Sequence, residues 1–501
     1  MKRIHIIACL LCVISLMGLS CKKVLELNPR ETPSSGVYWQ NENDAFAGLL
    51  GGYSLLRDAL TDQNRYYVYG DVPCNTFLIT YGSDYAIHQL RDGSFDGVYY
   101  GYLDNLQDWT IFYKAIAQAN LLIKKIPTIP VSAFKVPERK NYFLGEAYYL
   151  RAFNYFFISK VWGDVPLVTD AVEDVADAKN YGREAQQKVL TQAIADLEQA
   201  KQLLPVNTES TDDRGIRASL ATALALEAHI YAWMGNYAKC EENTRDIVNN
   251  PGKFNLALIT DSAQYVKMSI GHSTESIFEI NINYDQNEGS KQGIGERTLY
   301  DPFLATRKPA NTDDVPWLVN LETINKIYDR SKSDTTDLRY KIWYYSLDGK
   351  WPMLRKYANV FYKDGDVKRD PWFSNNILIY RLSDIILLRA EALYKLGDEA
   401  GARGLVDKIR QRAGVAPTSP SLTGDKLFTF IVNERVRELF AEGQTYWDLC
   451  RTQKLDKFNS VFEGAFTIGH ANYGRTYWPI NRNIFKDNPL MKQTPYWNGR
   501  L

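Results

Sequence analysis

The densest set of reactive side chains in the sequence lies between Asn433 and Arg451: Glu434, Arg435, Arg437, Glu438 and Glu442, followed by Asp448 and Arg451. On a helix, Glu434, Glu438 and Glu442 fall at i, i+4 and i+8 and share one face. Two carboxylates on a common face are the equipment of a glycosidase, one protonating the leaving oxygen and the other acting as base or nucleophile. The same stretch puts Arg435 three residues before Glu438, and Glu434 three before Arg437, which is ion-pair spacing. Ile431, Val432, Val436, Leu439 and Phe440 add an apolar stripe. The expectation is an interlocked set of ion pairs at the boundary between a helix and the core. A glycosidase is the alternative, and it requires the three glutamates to line an open cleft.

Other catalytic signatures are absent. The five histidines, His5, His88, His229, His272 and His470, are scattered, with no His-Glu-x-x-His and no paired Cys-x-x-Cys motifs. There is no Gly-x-Ser-x-Gly elbow and no phosphate-cradling Gly-x-x-x-x-Gly-Lys. Gly293-Ile294-Gly295 begins like a dinucleotide fingerprint but fails at Thr298. No catalytic residue, metal or cofactor is nominated. The chain has 59 basic and 59 acidic residues, without the basic excess of a nucleic-acid binder.

The N-terminus carries its own chemistry. Lys2 and Arg3 precede an apolar run from Ile6 to Leu19, and Gly18-Leu19-Ser20 leads to Cys21. This is the layout of a secretory signal peptide, too short to span a bilayer permanently. A small residue directly before a cysteine is the lipoprotein arrangement, so residues 1–20 are expected to be removed and Cys21 lipidated. Gly18-x-Ser20 also suits the ordinary signal peptidase, which would release a free secreted protein. Of the other cysteines, Cys9 and Cys12 leave with the signal, and Cys74, Cys240 and Cys450 are too sparse for a disulfide framework. Buried free thiols are expected.

Two kinds of sequence must position any site. The first is helical. Ala185, Val189, Ala193, Ile194, Leu197, Ala200 and Leu204 form one 3.6-spaced stripe, and Ala221, Leu224, Ala228 and Tyr231 a second. Further helices are predicted near 43–60, 107–125, 140–162, 381–396, 399–412 and 425–442. Ala228, Gly235, Ala238 and Ile247 recur at one offset as Ala390, Gly397, Ala400 and Ile409. Each set reads as helix, Gly-polar turn and helix, with alanine where the helices touch. This looks like tetratricopeptide-type hairpins without a regular period of about 34 residues; unrelated hairpins with glycine C-caps are the alternative. The second kind of sequence is irregular. Between about 281 and 378 it carries Pro302, Pro309, Pro316, Pro352 and Pro371 and a hairpin signal at Asp348-Gly349, flanked by Ile342-Trp343-Tyr344 and Lys350-Trp351. Loops this long in a compact protein are usually functional. The segment 64–102 and the tail 451–501 are similar. The reading is a single domain over 21–501: a helical scaffold at about 43–280 and 379–450, with the irregular stretches making one face.

Four blocks carry a family resemblance: the 433–451 segment itself, Leu378-Ile379-Tyr380-Arg381-Leu382-Ser383-Asp384 with Leu387-Leu388-Arg389-Ala390-Glu391-Ala392, Glu146-Ala147-Tyr148-Tyr149-Leu150-Arg151-Ala152 leading to Trp162-Gly163-Asp164-Val165-Pro166-Leu167, and the tail Trp478-Pro479-Ile480, Asn488-Pro489-Leu490 and Gln493-Thr494-Pro495-Tyr496. Together they resemble the SusD/RagB family of nutrient-binding outer-membrane lipoproteins. The resemblance implies a mainly α fold, a tetratricopeptide-like helical-hairpin scaffold with a large loop-rich binding face and minor β-hairpins. It implies a non-enzymatic protein that captures oligosaccharide or polysaccharide, in some members peptide, and serves a SusC-type TonB-dependent barrel as partner. It also implies a site on the outer membrane, facing outward. The local residues Lys22-Lys23 after the cysteine do not themselves signal outward exposure, for which acidic residues are usual.

Sugars present apolar C–H faces rimmed by hydroxyls, so aromatic rings in polar loops, with Asn, Asp or Arg nearby, are the natural ligand contacts. In 64–102 these are Tyr81, Tyr85 and Tyr99, near Asn75 and Asp84. In the middle insertion they are Tyr284, Trp317, Trp343 and Trp351, with Arg307 and Asn311 as rim contacts. Three alternatives stay open: a peptide receptor, a lid that holds the barrel with little affinity of its own, and the glycosidase.

Overall fold

Helices form where the apolar spacing and the caps agree. The computed structural model describes residues 38–500 except 80–84, 96–102, 284–292, 306, 310–313, 315, 331–335 and 487. The first long helix, α1 (Glu42–Thr61), starts at a capping box in which Asn41 Oδ1 accepts from the Asp44 N–H at 3.3 Å and the Asp44 carboxylate accepts from the Asn41 N–H at 3.1 Å. There follow α2 (Thr110–Lys125), α3 (Glu138–Trp162), α4 (Gln186–Leu203), α5 (Leu220–Trp233) and α6 (Tyr237–Asn249), each packed on the one before. After the insertion come α7 (Leu382–Lys395), α8 (Glu399–Arg412), α9 (Gly424–Glu438) and α10 (Thr445–Arg451). Helix α6 packs directly on α7, so the helical series is continuous in space although the chain leaves it between them. Helix α3 is buried all round from Tyr149 to Trp162, as expected of a helix apolar on every side.

The two recurring segments fold alike. Gly235 and Gly397 both take positive φ, +75° and +90°, and the next residue's N–H reaches back to Tyr231 O at 2.8 Å and Leu393 O at 2.9 Å respectively. Asn236 and Asp398 then cap the following helix. Ala228, Ala390, Ile247 and Ile409 are fully buried between helices. Ala238 and Ala400 are not; both sit exposed in a first turn, so they are small without being contact points. The fold is mainly α, with four two-stranded antiparallel sheets among the described residues.

Those sheets tie the irregular stretches to the scaffold. Strand β1 (Phe77–Ile79), from the early loop segment, pairs with β3 (Trp317–Val319) in the insertion. Strand β2 (Ser276–Ile280) pairs with β8 (Ile377–Arg381), which joins the two ends of the insertion at its base. Strands β4 (Tyr344–Tyr345) and β5 (Met353–Leu354) pair across Asp348-Gly349. That hairpin is wider than the sequence predicts, since Ile342 and Trp343 end a short helix, Leu338–Trp343. Strands β6 (Val360–Tyr362) and β7 (Pro371–Phe373) form the fourth pair. The tail returns to α3, where Trp478 N–H donates to Val161 O at 2.8 Å and Trp162 Nε1 donates to Pro479 O at 3.1 Å. Cys74, Cys240 and Cys450 are free and buried.

The early loop segment and the 433–451 segment touch backbone to backbone. A β-carbon on Gly70 would lie 2.0 Å from Gly443 O, and Gly443 itself has φ +71°. Replacing Gly70 with alanine is expected to destabilise the protein by at least about 3 kcal/mol, because neither backbone can retreat. A urea midpoint unchanged from the parent would contradict this.

Candidate functional site

The glutamates of the 433–451 segment are closed to any substrate. Glu434 accepts from Arg339 Nη2 and Arg437 Nη1, both at 2.7 Å, and from Arg410 Nη1 at 3.3 Å. Glu438 accepts from Arg339 Nη1 at 3.0 Å, Arg381 Nη1 at 2.6 Å and Arg412 Nη2. Glu442 accepts from Arg381 and from the Lys356 ammonium. Glu434 and Glu438 have no exposed surface and Glu442 is 2% exposed. Two details differ from the sequence reading. Helix α9 ends at Glu438, so Glu442 reaches the cluster from a turn in which Ala441 has φ +60°. Arg435 pairs with Asp384 at 2.8 Å and Asp448 at 2.9 Å instead of with Glu438, while the Glu434–Arg437 pair forms as expected.

Burial alone would raise the carboxyl pKa of Glu434, but Arg339, Arg437 and Arg410 outweigh it and hold the group at about 2. Glu438 is likewise held well below the usual range, burial being outweighed by Arg412, Arg381 and Arg339. A general acid needs the reverse shift and access to the leaving group. The glycosidase alternative therefore loses the carboxylates it drew on. The cluster's role is to hold elements together: Arg339 and Lys356 come from the insertion, Glu275 from its entry, and Arg381 from its exit on β8. These charges clamp the insertion onto α8 and α9.

On the irregular face, the nominated aromatics divide. Trp317 is 1% exposed and Trp343 has no exposed surface, so neither can stack on a ligand. Pairing of β3 with β1 turns Trp317 inward against Phe77, ring centroids 5.3 Å apart. Trp343 donates Nε1 to Tyr265 O at 3.4 Å beneath the Lys356 ammonium, 4.3 Å from its ring. Trp351 is half-buried, edge-on to Tyr300. Arg307 is half-buried and bonded to Glu296, through its main-chain oxygen and at 3.1 Å through its carboxylate, a contact within one loop. Asn75 takes φ +61° and donates to Phe458 O at 3.0 Å, which makes it part of a turn. Tyr81, Asp84, Tyr99, Tyr284 and Asn311 lie outside the described residues, as does Cys21. The backbone of Tyr85 opens a short helix, Tyr85–Arg91, but its side chain too is outside them.

Two better-placed rings were not nominated. Tyr345 is 40% exposed on β4, edge-on to Phe303 at 5.2 Å. Phe361 is 45% exposed on β6, opposite Trp372 of β7. Phe303 packs on two small apolar clusters, one with Tyr300, Met353 and Trp351, the other with Leu304, Phe373 and Val360. It thereby joins both hairpins into one shelf. The alternation of the strands, Tyr344 inward and Tyr345 outward, was the available signal.

A series of helical hairpins presenting a loop-built aromatic face, its carboxylates locked in pairs, defines a binding scaffold of the tetratricopeptide-like class. Two family models match the chain, one described as the SusD family over residues 344–497 and one as "starch-binding associating with outer membrane" over residues 88–232. The chain belongs to the SusD/RagB family. It is 28% identical to a SusD-like protein of Formosa agariphila over 95% of this chain and 96% of that one. It is similar to a SusD homolog of Bacteroides thetaiotaomicron, with a TM-score of 0.78 and 26% identity over 92% of this chain and all of that one. A laminarin-binding SusD-like protein has the same fold, with a TM-score of 0.69 and 22% identity over 91% of this chain and all of that one.

Proposed function

We propose that the protein is an outer-membrane lipoprotein, anchored through Cys21 and facing outward, that binds oligosaccharide or polysaccharide and passes it to a SusC-type TonB-dependent barrel. It performs no catalysis. The observation that carries this reading is the shelf of two short hairpins that both pack on Phe303 and carry the partly exposed rings Tyr345, Trp351 and Phe361. Preorganised rings suit the C–H faces of sugars, since little side-chain freedom remains to be lost on binding. The family description as starch-binding and the laminarin-binding relative support a glycan as ligand.

The test is a titration of the protein with starch, laminarin and other polysaccharides, and with peptide mixtures. Stacked rings contribute about 0.5–1.5 kcal/mol each. Tyr345→Ala, Phe361→Ala and Trp351→Ala combined should therefore weaken glycan binding by roughly tenfold or more. Undiminished glycan affinity in this variant would sink the assignment of the shelf, and binding to peptides alone would sink the glycan. Co-purification with a barrel protein tests the partner.

A further inference from the structure

A second concave site lies on the scaffold, away from the insertion. A cavity of about 480 Å³ opens between the C-terminal end of α3, α10 and the tail, and no residue between 281 and 378 lines it. Its volume falls in the range of small-molecule sites. Trp233, Trp447, Tyr473, Tyr477 and Tyr496 form much of its wall. Tyr473 is 49% exposed at the rim. Glycine at 163, with φ +73° and ψ −112°, ends α3 so sharply that Asp164 and the Tyr477 ring close one side.

Two buried polar groups on this wall lack partners. Lys160 is 7% exposed and makes neither a hydrogen bond nor an ion pair among the described residues. Its ammonium meets only ring faces, those of Phe156 at 4.6 Å, Trp447 at 5.1 Å and Phe157 at 5.5 Å. Trp447 Nε1 is buried without an acceptor. The Trp447 N–H is sealed from the cavity, but an ammonium on its wall without an acceptor is costly unless something supplies oxygen atoms. The other charges around the wall are already engaged. Arg183 donates only to main-chain oxygens, those of Asp164 at 2.7 Å, Trp162 at 2.9 Å, Gln493 at 3.0 Å and Lys492 at 3.3 Å. Arg451 is neutralised by Glu391 and Asp448. Asp164 acts on Arg183, and Asp448 and Asp384 are engaged by Arg435, so no carboxylate bonds Lys160 directly.

We propose that this cavity binds a small sugar carrying one carboxylate or sulfate group, with the anion on Lys160 and the ring against the tyrosines. Its site is separate from the aromatic shelf and does not depend on it. Burial pushes the Lys160 pKa down to about 7, with Asp448 and Asp384 pulling it back up and Arg451 adding to the fall. The anion binds the charged form of Lys160, which faces these groups and, beside them, Asp164 and Arg183. Affinity should therefore fall as pH rises above 7, approaching tenfold per unit.

The experiment is calorimetry on the detergent-solubilised full chain with glucuronate, glucose 6-sulfate and glucose. Glucuronate, glucose 6-sulfate or both should bind saturably, the tighter of the two identifying the anion, and glucose at least about tenfold more weakly. Lys160→Met should abolish that preference and Lys160→Arg preserve it, while the variant lacking the rings of Tyr345, Phe361 and Trp351 should bind the anions as the parent does. Absence of binding by both anions below about 10 mM overturns the proposal, as does unchanged anion affinity in Lys160→Met. Should Lys160→Met lose its near-ultraviolet circular dichroism, Tyr473→Ala decides: several-fold weaker binding supports the site, and unchanged binding overturns it.

Discussion

Replacing Glu438 with alanine is expected to lower the stability of the protein by about 3–5 kcal/mol or more, among the largest effects of any single substitution. Glu438 has no exposed surface and is shared by Arg339, Arg381 and Arg412. Without it three guanidinium groups face one another in the core. Glu242→Ala, which removes an exposed i,i+3 pair with Lys239 at 2.9 Å, should change stability by less than about 1 kcal/mol. Urea, being uncharged, is the denaturant for this comparison. Equal urea midpoints for the two variants would refute the keystone role. The same cluster sets the acid limit. Glu434 is held at about 2 against an ordinary value of 4.5, and Glu438 is also held low. A depressed carboxyl stabilises the fold above its unfolded pKa. The contribution is thus complete at neutral pH and fades as pH falls from about 5 towards 2.

Replacing Cys21 with alanine should move the protein almost entirely from the membrane fraction to the soluble fraction, with glycan affinity unchanged. Acyl chains add about 0.8 kcal/mol per buried methylene, and stable anchoring needs more than one chain. Among the described residues no helix is long and apolar enough to cross a membrane. The measurement is fractionation of cells that lack the partner barrel, since the barrel could retain the protein by itself. A Cys21→Ala protein still sedimenting with membranes in such cells would show that the lipid is not the anchor.

The helical scaffold was largely legible because its signals are local. The stripe from Val189 to Ala200 is buried on α4, and the expected helices near 43–60, 107–125 and 140–162 became α1, α2 and α3. The paired turns at Gly235 and Gly397 were legible for the same reason. The aromatic site was not. Whether Trp317 points in or out depends on its pairing with a strand some 240 residues earlier, at Phe77. Composition cannot report such a partner. Aromatic rings in polar loops were favoured because they can stack on sugars, but large rings such as Trp317 and Trp343 are also what the core takes up; the exposed rings are a tyrosine and a phenylalanine on short strands. The ion cluster shows both cases at once. Glu434 and Arg437 were predictable from spacing, while the partners of Glu438 come from positions 339, 381 and 412, visible only once the chain is folded.

That cluster also governs when the fold can form as the chain is made. Arg339, Lys356, Arg381 and Arg412 have only Asp337 and Glu275 among them until Glu434, Glu438 and Glu442 emerge. Burying four cations with two carboxylates is prohibitive. A nascent chain that has reached residue 430 therefore holds nearly all of its helices but cannot close its core. Commitment to the native state waits for the segment that carries Glu434, Glu438 and Glu442.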